Sequence, residues 1–414
     1  MNKRIWFLFL TIFIDMLGVG ILIPVIPQLL GNASSPYYLL TGGNEKFGLI
    51  LLGFLTASYP LAQFFASPIL GTLSDKRGRR PVLLASIFGT ALSYIVFAYA
   101  VIIRNIPLLF ISRIIDGVTG GNITVAQAAI TDVTTPENRP KVFGMIGAAF
   151  GLGFIFGPFL GGKLADPSLV SWFNASTPFF FSGILAFINV VLIYLFLKET
   201  NEHIDPERKV DFFGSVRNIT RATHLGGVRK LLIVSFLFNA GFAFFTSFFN
   251  VYLSHRFHLD AGGIGTFFGY IGICIVLTQL FVVRLVAKRW HDSQLLRIAY
   301  LWTGVALICY LLPTKLWQFY LIVPFFAIPN GLQAANFNAF LTKHIDPKRR
   351  GEILGIATSV NSVAQAVPPL LAGAIAALFA TWVPIFVAGV LVMWAGIQFR
   401  RTVPRGSPKN FILS

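Results

Sequence analysis

Gly71-Thr72-Leu73-Ser74-Asp75-Lys76-Arg77-Gly78-Arg79-Arg80-Pro81-Val82-Leu83 is the stretch that decides the fold of this chain. A Gly-x-Leu-x-Asp segment is followed by a basic cluster, and the whole stands between two long apolar runs. Gly71 and Gly78 are expected to permit a tight turn, since glycine tolerates backbone angles that other residues avoid. Asp75 offers a carboxylate to nearby helix N-termini or Arg side chains. The basic cluster holds such a loop on the cytoplasmic side of a membrane. An ordinary polar loop would account for the charges, but not for glycine, aspartate and glycine at these spacings.

The flanking runs set the class. Of 414 residues, 55% are hydrophobic and only 12% charged, and mean hydropathy is +0.74. A water-soluble chain of this composition would expose large apolar patches. Instead the apolar residues fall into blocks of about 20, the length that crosses a bilayer as a helix. Twelve such blocks occur, at residues 5–30, 47–70, 81–101, 107–131, 142–165, 177–197, 231–253, 262–284, 295–313, 316–341, 353–378 and 382–399. The first follows Met1-Asn2-Lys3-Arg4 directly, lacks a small-residue cleavage site and is too long for a signal-peptide core, so it is expected to be retained. The expected fold is an all-α membrane protein with twelve transmembrane helices in two pseudo-symmetric six-helix halves.

A net charge of +17 invites a nucleic-acid reading, but the charge distribution argues against it. With both termini cytoplasmic, only five of the 33 Lys and Arg fall in external segments: Lys46, Arg104, Lys163, Arg256 and Lys315. Arg113 lies within a span. This is a strong positive-inside bias, and the basic surface faces anionic lipid headgroups. Cys274 and Cys309 lie in spans and read as small buried hydrophobes. The six His residues form no metal-spacing cluster, and the chain has no Gly-x-x-x-x-Gly-Lys-Ser/Thr loop to hold ATP. No metal, cofactor or nucleic acid is therefore called for.

The chain repeats itself. Residues 130–162 align without gaps on 341–373, matching Thr131 to Thr342, Pro136 to Pro347, Arg139 to Arg350, Gly144 to Gly355, Pro158 to Pro369 and Gly162 to Gly373; further back, Gly120 matches Gly331. The longest polar stretch separates the copies, giving an N-terminal half (1–197), a cytoplasmic linker (198–230) and a C-terminal half with a short tail (231–414). The linker reads equally as partly helical, given Phe212 and Phe213, or as wholly flexible. Residues 284–289 keep the charge of the 71–80 loop but not its glycines or aspartate. Halves related in this way imply a central cavity and alternating access by rocking.

Of sixteen acidic residues, only Asp15 and Asp116 fall deep within spans; Asp132 sits at a cytoplasmic end. A charge at the bilayer centre costs roughly 2.5–3.5 kcal/mol or more, so such residues face protein or water and are functional candidates. Asp15 lies about 15 Å into its span, near the midplane. A structural role, bonding a neighbouring helix, is the competing reading. In the fourth span Arg113, Asp116, Gly120, Thr124, Gln127 and Thr131 share one helical face. Arg113 and Asp116 are three apart and within pairing reach. Either Asp116 is a structural counter-ion and Asp15 carries the proton alone, or both acids titrate in turn under the influence of Arg113.

These features resemble the major facilitator superfamily. The 71–83 stretch is similar to its loop between helices 2 and 3. Phe13-Ile14-Asp15-Met16-Leu17-Gly18-Val19-Gly20 with Pro24-Val25-Ile26-Pro27 resembles span 1 of tetracycline/proton and related drug antiporters. Arg113 with Gly117, Gly120 and Gly121 resembles the span-4 motif linked with proton coupling, although an uncharged residue usually stands where this chain has Asp116. Gly153, Gly157, Pro158, Gly161 and Gly162 resemble the motif that marks antiporters, while close helix packing explains the same glycine spacing, Gly147 and Gly151 included. The resemblance implies a conformational lock of Gly71, Asp75, Gly78, Arg79 and Asp132. In it Asp75 meets the start of span 11 near Glu352-Ile353 and Arg79 meets Asp132. A static surface ion pair worth under about 1 kcal/mol is the alternative.

The C-terminal half has no acid deep in a span. It has amides and aromatics: Asn239, Phe242, Thr246 and Asn250 in span 7, Asn330, Gln333 and Asn336 in span 10, and Asn361 and Gln365 in span 11. Together with Gln127 these are candidates to line a substrate cavity for an amphipathic organic ligand. Amides bonding between helices and Phe facing lipid form the competing reading. The resemblance implies a secondary transporter of the cell membrane that exchanges protons for small amphipathic compounds, multidrug or tetracycline-like; a monomer is expected because one chain holds both halves of its pathway, and an enzyme is not, because the spans carry no nucleophile–base pair or His/Asp metal set. Proton-coupled uptake or metabolite efflux, and a non-transporting sensor or scaffold, are the alternatives.

Overall fold

The computed structural model describes residues 3–403 apart from 41, 43, 136, 137, 203, 208, 209, 283, 284, 287–289, 291 and 344–349. The helices in chain order are α1 (Lys3–Leu30), α2 (Glu45–Arg77), α3 (Arg79–Ile102), α4 (Ile106–Thr119), α5 (Asn122–Asp132), α6 (Arg139–Leu164) and α7 (Thr177–Phe196). There follow α8 (Gly214–Ala222), α9 (Gly226–Phe257), α10 (Ala261–Leu277) with a π-helical turn (Thr278–Val282), α11 (Asp292–Cys309), α12 (Leu316–Lys343), α13 (Arg350–Leu378) and α14 (Val383–Thr402). Among the described residues each of the twelve apolar blocks lies mainly in helix, the fourth divided between α4 and α5 and the eighth ending in the π-helical turn. Among the described residues nine segments are long and apolar enough to cross a membrane, with α4 and α5 counting as one; Ala261–Leu277 and Ser293–Cys309 are shorter apolar helices.

The chain divides into two compact units. The first comprises Met1–Ser215 and Leu259–Gly269, the second Val216–His258 and Tyr270–Ser414. In the first, α1 packs on α6 and α7, α3 on α4 and α7, and α2 on α4 and α5. Its core joins Leu8 and Ile12 of α1, Leu83 and Ile87 of α3, Val125 and Ala129 of α5, and Ile146 of α6. The outer face of α3 is the reverse of a water-soluble surface. Phe88, Leu92, Ile95, Tyr99 and Ile102 recur at helical spacing and are all exposed, while Ile87, Ala91, Tyr94 and Ala98 point inward. An exposed apolar stripe of this length is stable against lipid, not against water.

Two sequence expectations are corrected here. The 71–80 loop is almost wholly helical. α2 runs through Gly71 and Asp75 to Arg77, α3 begins at Arg79, and Gly78 alone makes the turn. Gly78 has φ +96°, whereas a Cβ on Gly71 would meet nothing within 4 Å. A helix leaving a bilayer can continue into water when its last turn is charged, and Lys76 and Arg77 suit the negative end of the helix dipole. The fourth span, by contrast, is interrupted. Adjacent Gly120 and Gly121 lower helix propensity, and Thr124 N–H bonds to Gly121 O instead of one residue further back. The carbonyl of Gly120 thereby released accepts from Gln63 Nε2 at 2.8 Å, which answers the demand that every backbone group at membrane depth find a protein partner.

The glycine stripe of α6 is a packing seam against α1. A Cβ on Gly157 would stand 2.6 Å from Gly20 Cα, while Gly147 and Gly151 face open space and take no part. Between residues 198 and 230 the chain includes α8, and Ser215 donates to Phe64 O at 2.6 Å.

The second unit packs α9 against α13 and α14, and α11 against α12 and α14. Its centre is aromatic. Tyr310 lies 5.0 Å from Phe249, 5.7 Å from Phe245 and 5.9 Å from Phe319 between ring centroids. Such ring pairs add about 0.5–1.5 kcal/mol each beyond the area they bury.

Candidate functional site

The two buried acids come together. Asp15 of α1 is 8% exposed and Asp116 of α4 is 2% exposed, and both line one small cavity with Tyr59, Thr90, Tyr94 and Asn122. Arg113 and Asp116 form the pair that their spacing allows, Nη1 to Oδ2 at 2.5 Å, fully inside the bundle. The Arg113 guanidinium also lies over the Tyr59 ring, 4.8 Å from its centroid. A buried pair of this kind adds little net stability, but removing one partner leaves an uncompensated charge.

Asp15 has a partner that sequence reasoning missed. Asn122 Nδ2 donates to Asp15 Oδ2 at 2.8 Å. On a continuous helix Asn122 stands half a turn away from Arg113, off the polar face, so helical spacing does not single it out. The structure explains the miss, because this span is enclosed by α1, α2 and α3 and has interior faces on several sides. The signal was present in the sequence as an amide directly after a Gly-Gly pair within an apolar span. Of the expected stripe, Thr124 bonds to Gly121 O and Ser67 O, and Thr131 bonds to Gln127 O.

At the other end of the bundle Arg79 gathers its neighbours. Its Nη1 lies 2.5 Å from Asp75 Oδ1 and donates to Ser74 Oγ at 2.6 Å, and its Nε lies 3.1 Å from Asp132 Oδ2. The expected meeting of Arg79 with Asp132 is therefore present in the geometry. The expected contact of Asp75 with Glu352-Ile353 involves the Glu352 side chain, which lies outside the described residues.

Glu199, read only as the start of a polar linker, is the second omission. Its carboxylate accepts from the backbone N–H of Arg79 at 2.8 Å and of Arg80 at 3.1 Å, and from those of Thr200 and Asn201 at 2.9 Å each. It thus caps the positive end of α3 from a distant part of the chain. Burial alone would raise this carboxyl, but the four N–H donors outweigh burial and hold it below the ordinary range for Glu. The turn glycine is tied to this contact, since a Cβ on Gly78 would stand 2.5 Å from Glu199 Oε2.

The antiporter-like residues Gly153, Gly157, Pro158 and Gly161 all touch α1, and a Cβ on Gly162 would stand 2.7 Å from Gly265 Cα of α10. Among the cavity candidates, Asn239 donates to Ser235 O at 2.8 Å and to Asn361 Oδ1 at 3.3 Å, and Thr246 bonds to Phe242 O at 3.0 Å. Phe242 stacks on Phe238, Gln333 donates to Tyr300 Oη at 3.4 Å, and Asn250 is buried. Asn330 and Asn361 are half-buried and Gln365 is exposed; the side chain of Asn336 lies outside the described residues. Several of these amides therefore do bond within or between helices.

A shell of lipid-facing helices with two acids and an arginine sealed inside is the constitution of a multi-pass membrane transporter. The sequence model of the Major Facilitator Superfamily matches residues 8–327 and 231–412, and the chain belongs to that superfamily. It is 29% identical over 379 residues to the class H tetracycline resistance protein of Pasteurella multocida, covering 90% of this chain and 88% of that one. It is 28% identical over 385 residues to the quinolone resistance protein NorA of Staphylococcus aureus, covering 91% and 90%. Its fold resembles a D-xylose–proton symporter, with a TM-score of 0.76 at 16% identity over 98% of this chain and 99% of that one. It also resembles the human organic anion transporter MFSD10, with a TM-score of 0.71 at 22% identity over 96% and 99%.

Proposed function

We propose that this protein exports small amphipathic compounds from the cell in exchange for protons, by alternating access, with both termini in the cytoplasm. The observation that carries the reading is Asp15, a carboxylate sealed near mid-span in α1 and held by Asn122 beside the Arg113–Asp116 pair. The similarity to tetracycline and quinolone resistance proteins, over 90% and 91% of the chain, supports export and the substrate class.

In the proposed cycle Asp15 takes a proton from the outer side. Loss of its charge removes the cost of burying it, and the halves rock inward. Substrate entry then releases the proton to the cytoplasm, and the return movement carries substrate out. Each positive charge moving inward gains about 2.3 kcal/mol per 100 mV of membrane potential. The Arg79–Asp75–Asp132 cluster is the proposed lock on the cytoplasmic side, and the amides and aromatics of α9, α12 and α13 are the proposed substrate contacts.

The test uses inside-out vesicles with an acidified lumen. Tetracycline, quinolones and lipophilic cations are added in turn and luminal pH is followed, for the wild type and for Asp15→Asn. Proton release with at least one compound, lost in the variant, is expected. No release with any compound from folded protein overturns the reading, and release that persists in Asp15→Asn overturns the assignment of Asp15 as the proton carrier.

A further inference from the structure

The cavity between the two acids is small and its lining is unusual. It measures about 10 Å³, close to the least space that holds one water molecule. Two buried oxygens on its lining residues, Asp15 Oδ1 and Asn122 Oδ1, have no hydrogen-bond partner among the described residues. Both are acceptors when Asp15 is ionised, and each unmet buried acceptor costs about 1–3 kcal/mol. A water has two hydrogens, so one molecule supplies both. Its oxygen then accepts from a neighbouring hydroxyl. Tyr59 is suited to donate, because its Oη accepts from Gln63 Nε2 at 3.2 Å and keeps its own hydrogen free. Val19 and Ile123 supply apolar lining to the cavity.

We infer that this cavity is a single-water site, and that its water passes a proton between Asp15 and Asp116 with Asn122 as the positioning residue. The inference rests on the proton-coupled reading above. Protonated Asp15 donates from Oδ1 to the water oxygen, and the water gives one of its own hydrogens to the Asp116 carboxylate. One O–H bond breaks and one forms at the water, which is regenerated; the negative charge moves from Asp116 to Asp15. Asn122 serves twice in this step. Its Nδ2 donor steadies the Asp15 carboxylate, and its Oδ1 orients the water. The charged and titratable side chains around the site are Asp15 from α1, Tyr59 from α2, Tyr94 from α3, and Asp116 with Arg113 behind it from α4. Arg113 Nη1 already holds Asp116 Oδ2, so the relay returns the proton to Asp15 unless the pair opens. This makes Asp116 a transient station and Asp15 the resting one.

The experiment is infrared difference spectroscopy of the reconstituted full chain during a pH jump, in ordinary water and in water labelled with oxygen-18. Asp15→Asn and Asp116→Asn assign the carboxyl bands. The wild type is expected to show a confined-water O–H band, shifted by the label, that appears together with the Asp15 carboxyl band. Asn122→Ala should lose the water band, and Asp15 should hold its proton about tenfold more tightly, the effect of one lost hydrogen bond to the carboxylate. Asn122→Thr, which keeps a donor and an acceptor, should recover part of both. Val19→Ile leaves every polar group in place but fills the cavity, and it should lose the water band and slow proton exchange at least several-fold. A water band that survives in both Asn122→Ala and Val19→Ile, with Asp15 titration and exchange rate unchanged, overturns the inference. That result, alongside flux that is lost in Asp15→Asn, leaves the export reading standing; flux that persists in Asp15→Asn removes Asp15 as the proton carrier, and no flux from the folded wild type removes the export reading itself.

Discussion

In the first half the fourth span carries Arg113, Asp116, Gly120 and Asn122; the repeat places Pro324, Ala327, Gly331 and Gln333 at the corresponding positions of α12. One copy holds a buried ion pair, a helix break and an amide on a carboxylate. The other is an unbroken helix whose amide donates to a buried tyrosine hydroxyl at 3.4 Å. The same frame thus supports two interiors. Where charge is buried, the backbone bends and neighbouring helices supply polar partners. Where only neutral groups are buried, an aromatic cluster around Tyr310 fills the space and the helix continues. Gly331 is kept in the second copy, but Leu332 replaces the second glycine, so a single glycine does not interrupt the helix.

The sharpest way to break this contrast is to remove its charges one at a time. Asp15→Asn is expected to abolish substrate-dependent proton release in the vesicle assay while the protein remains folded, because an amide cannot exchange the proton. Asp116→Asn is expected to cost about 3–5 kcal/mol, since it strands Arg113 as a buried unpaired charge. Making the first copy resemble the second, with Arg113→Met and Asp116→Leu together, should recover most of that loss. Thermal unfolding in detergent measures both; a double variant as unstable as the single one would mean that the pair is worth more than its burial suggests.

The contrast between seam and surface glycines on α6 is next in size. Gly157→Ala pushes a methyl into Gly20 and should cost about 1–3 kcal/mol. Gly147→Ala, with open space around it, should be neutral or stabilise by up to about 1 kcal/mol. Equal melting temperatures for the two variants would remove the seam.

Smaller effects sharpen the end of the bundle that holds Arg79 and Glu199. Glu199→Ala should cost about 1 kcal/mol, the usual worth of a helix cap. Its carboxyl is held below the ordinary range, so the folded state binds that proton less readily than the unfolded state does. The contribution is therefore full above the ordinary Glu range. It fades as pH falls below about 4 and through the lower folded-state value. Wild type and variant should converge in stability at acid pH; a gap that does not narrow would assign the effect to packing. Smallest of all, Gln333→Leu in the neutral copy should change stability by under about 1.5 kcal/mol, against the larger penalty at Asp116.

Much of this was legible in the residues alone. Apolar blocks of spanning length and the offset repeat pointed to an all-helical membrane protein, because hydrocarbon tolerates so few alternatives. Asp15, Arg113 and Asp116 were readable as site residues for the same reason, since charge within a span stands out against its surroundings. The Arg113–Asp116 pair followed from helical spacing, a local property. Asn122 and Glu199 did not follow. Each acts on a group more than a hundred residues away in sequence, Asp15 in one case and the Arg79 and Arg80 amides in the other, and neither stands out by charge in its setting. The loop that identified the fold was itself misjudged in form, because the helix continues into water through its charged last turn and past Gly71, and only Gly78, beside a distant carboxylate, makes the turn. The sequence thus determined which chemistry was buried and on which helices. Only the tertiary structure decided which buried groups meet, because contacts between helices depend on a packing geometry that no single helix encodes.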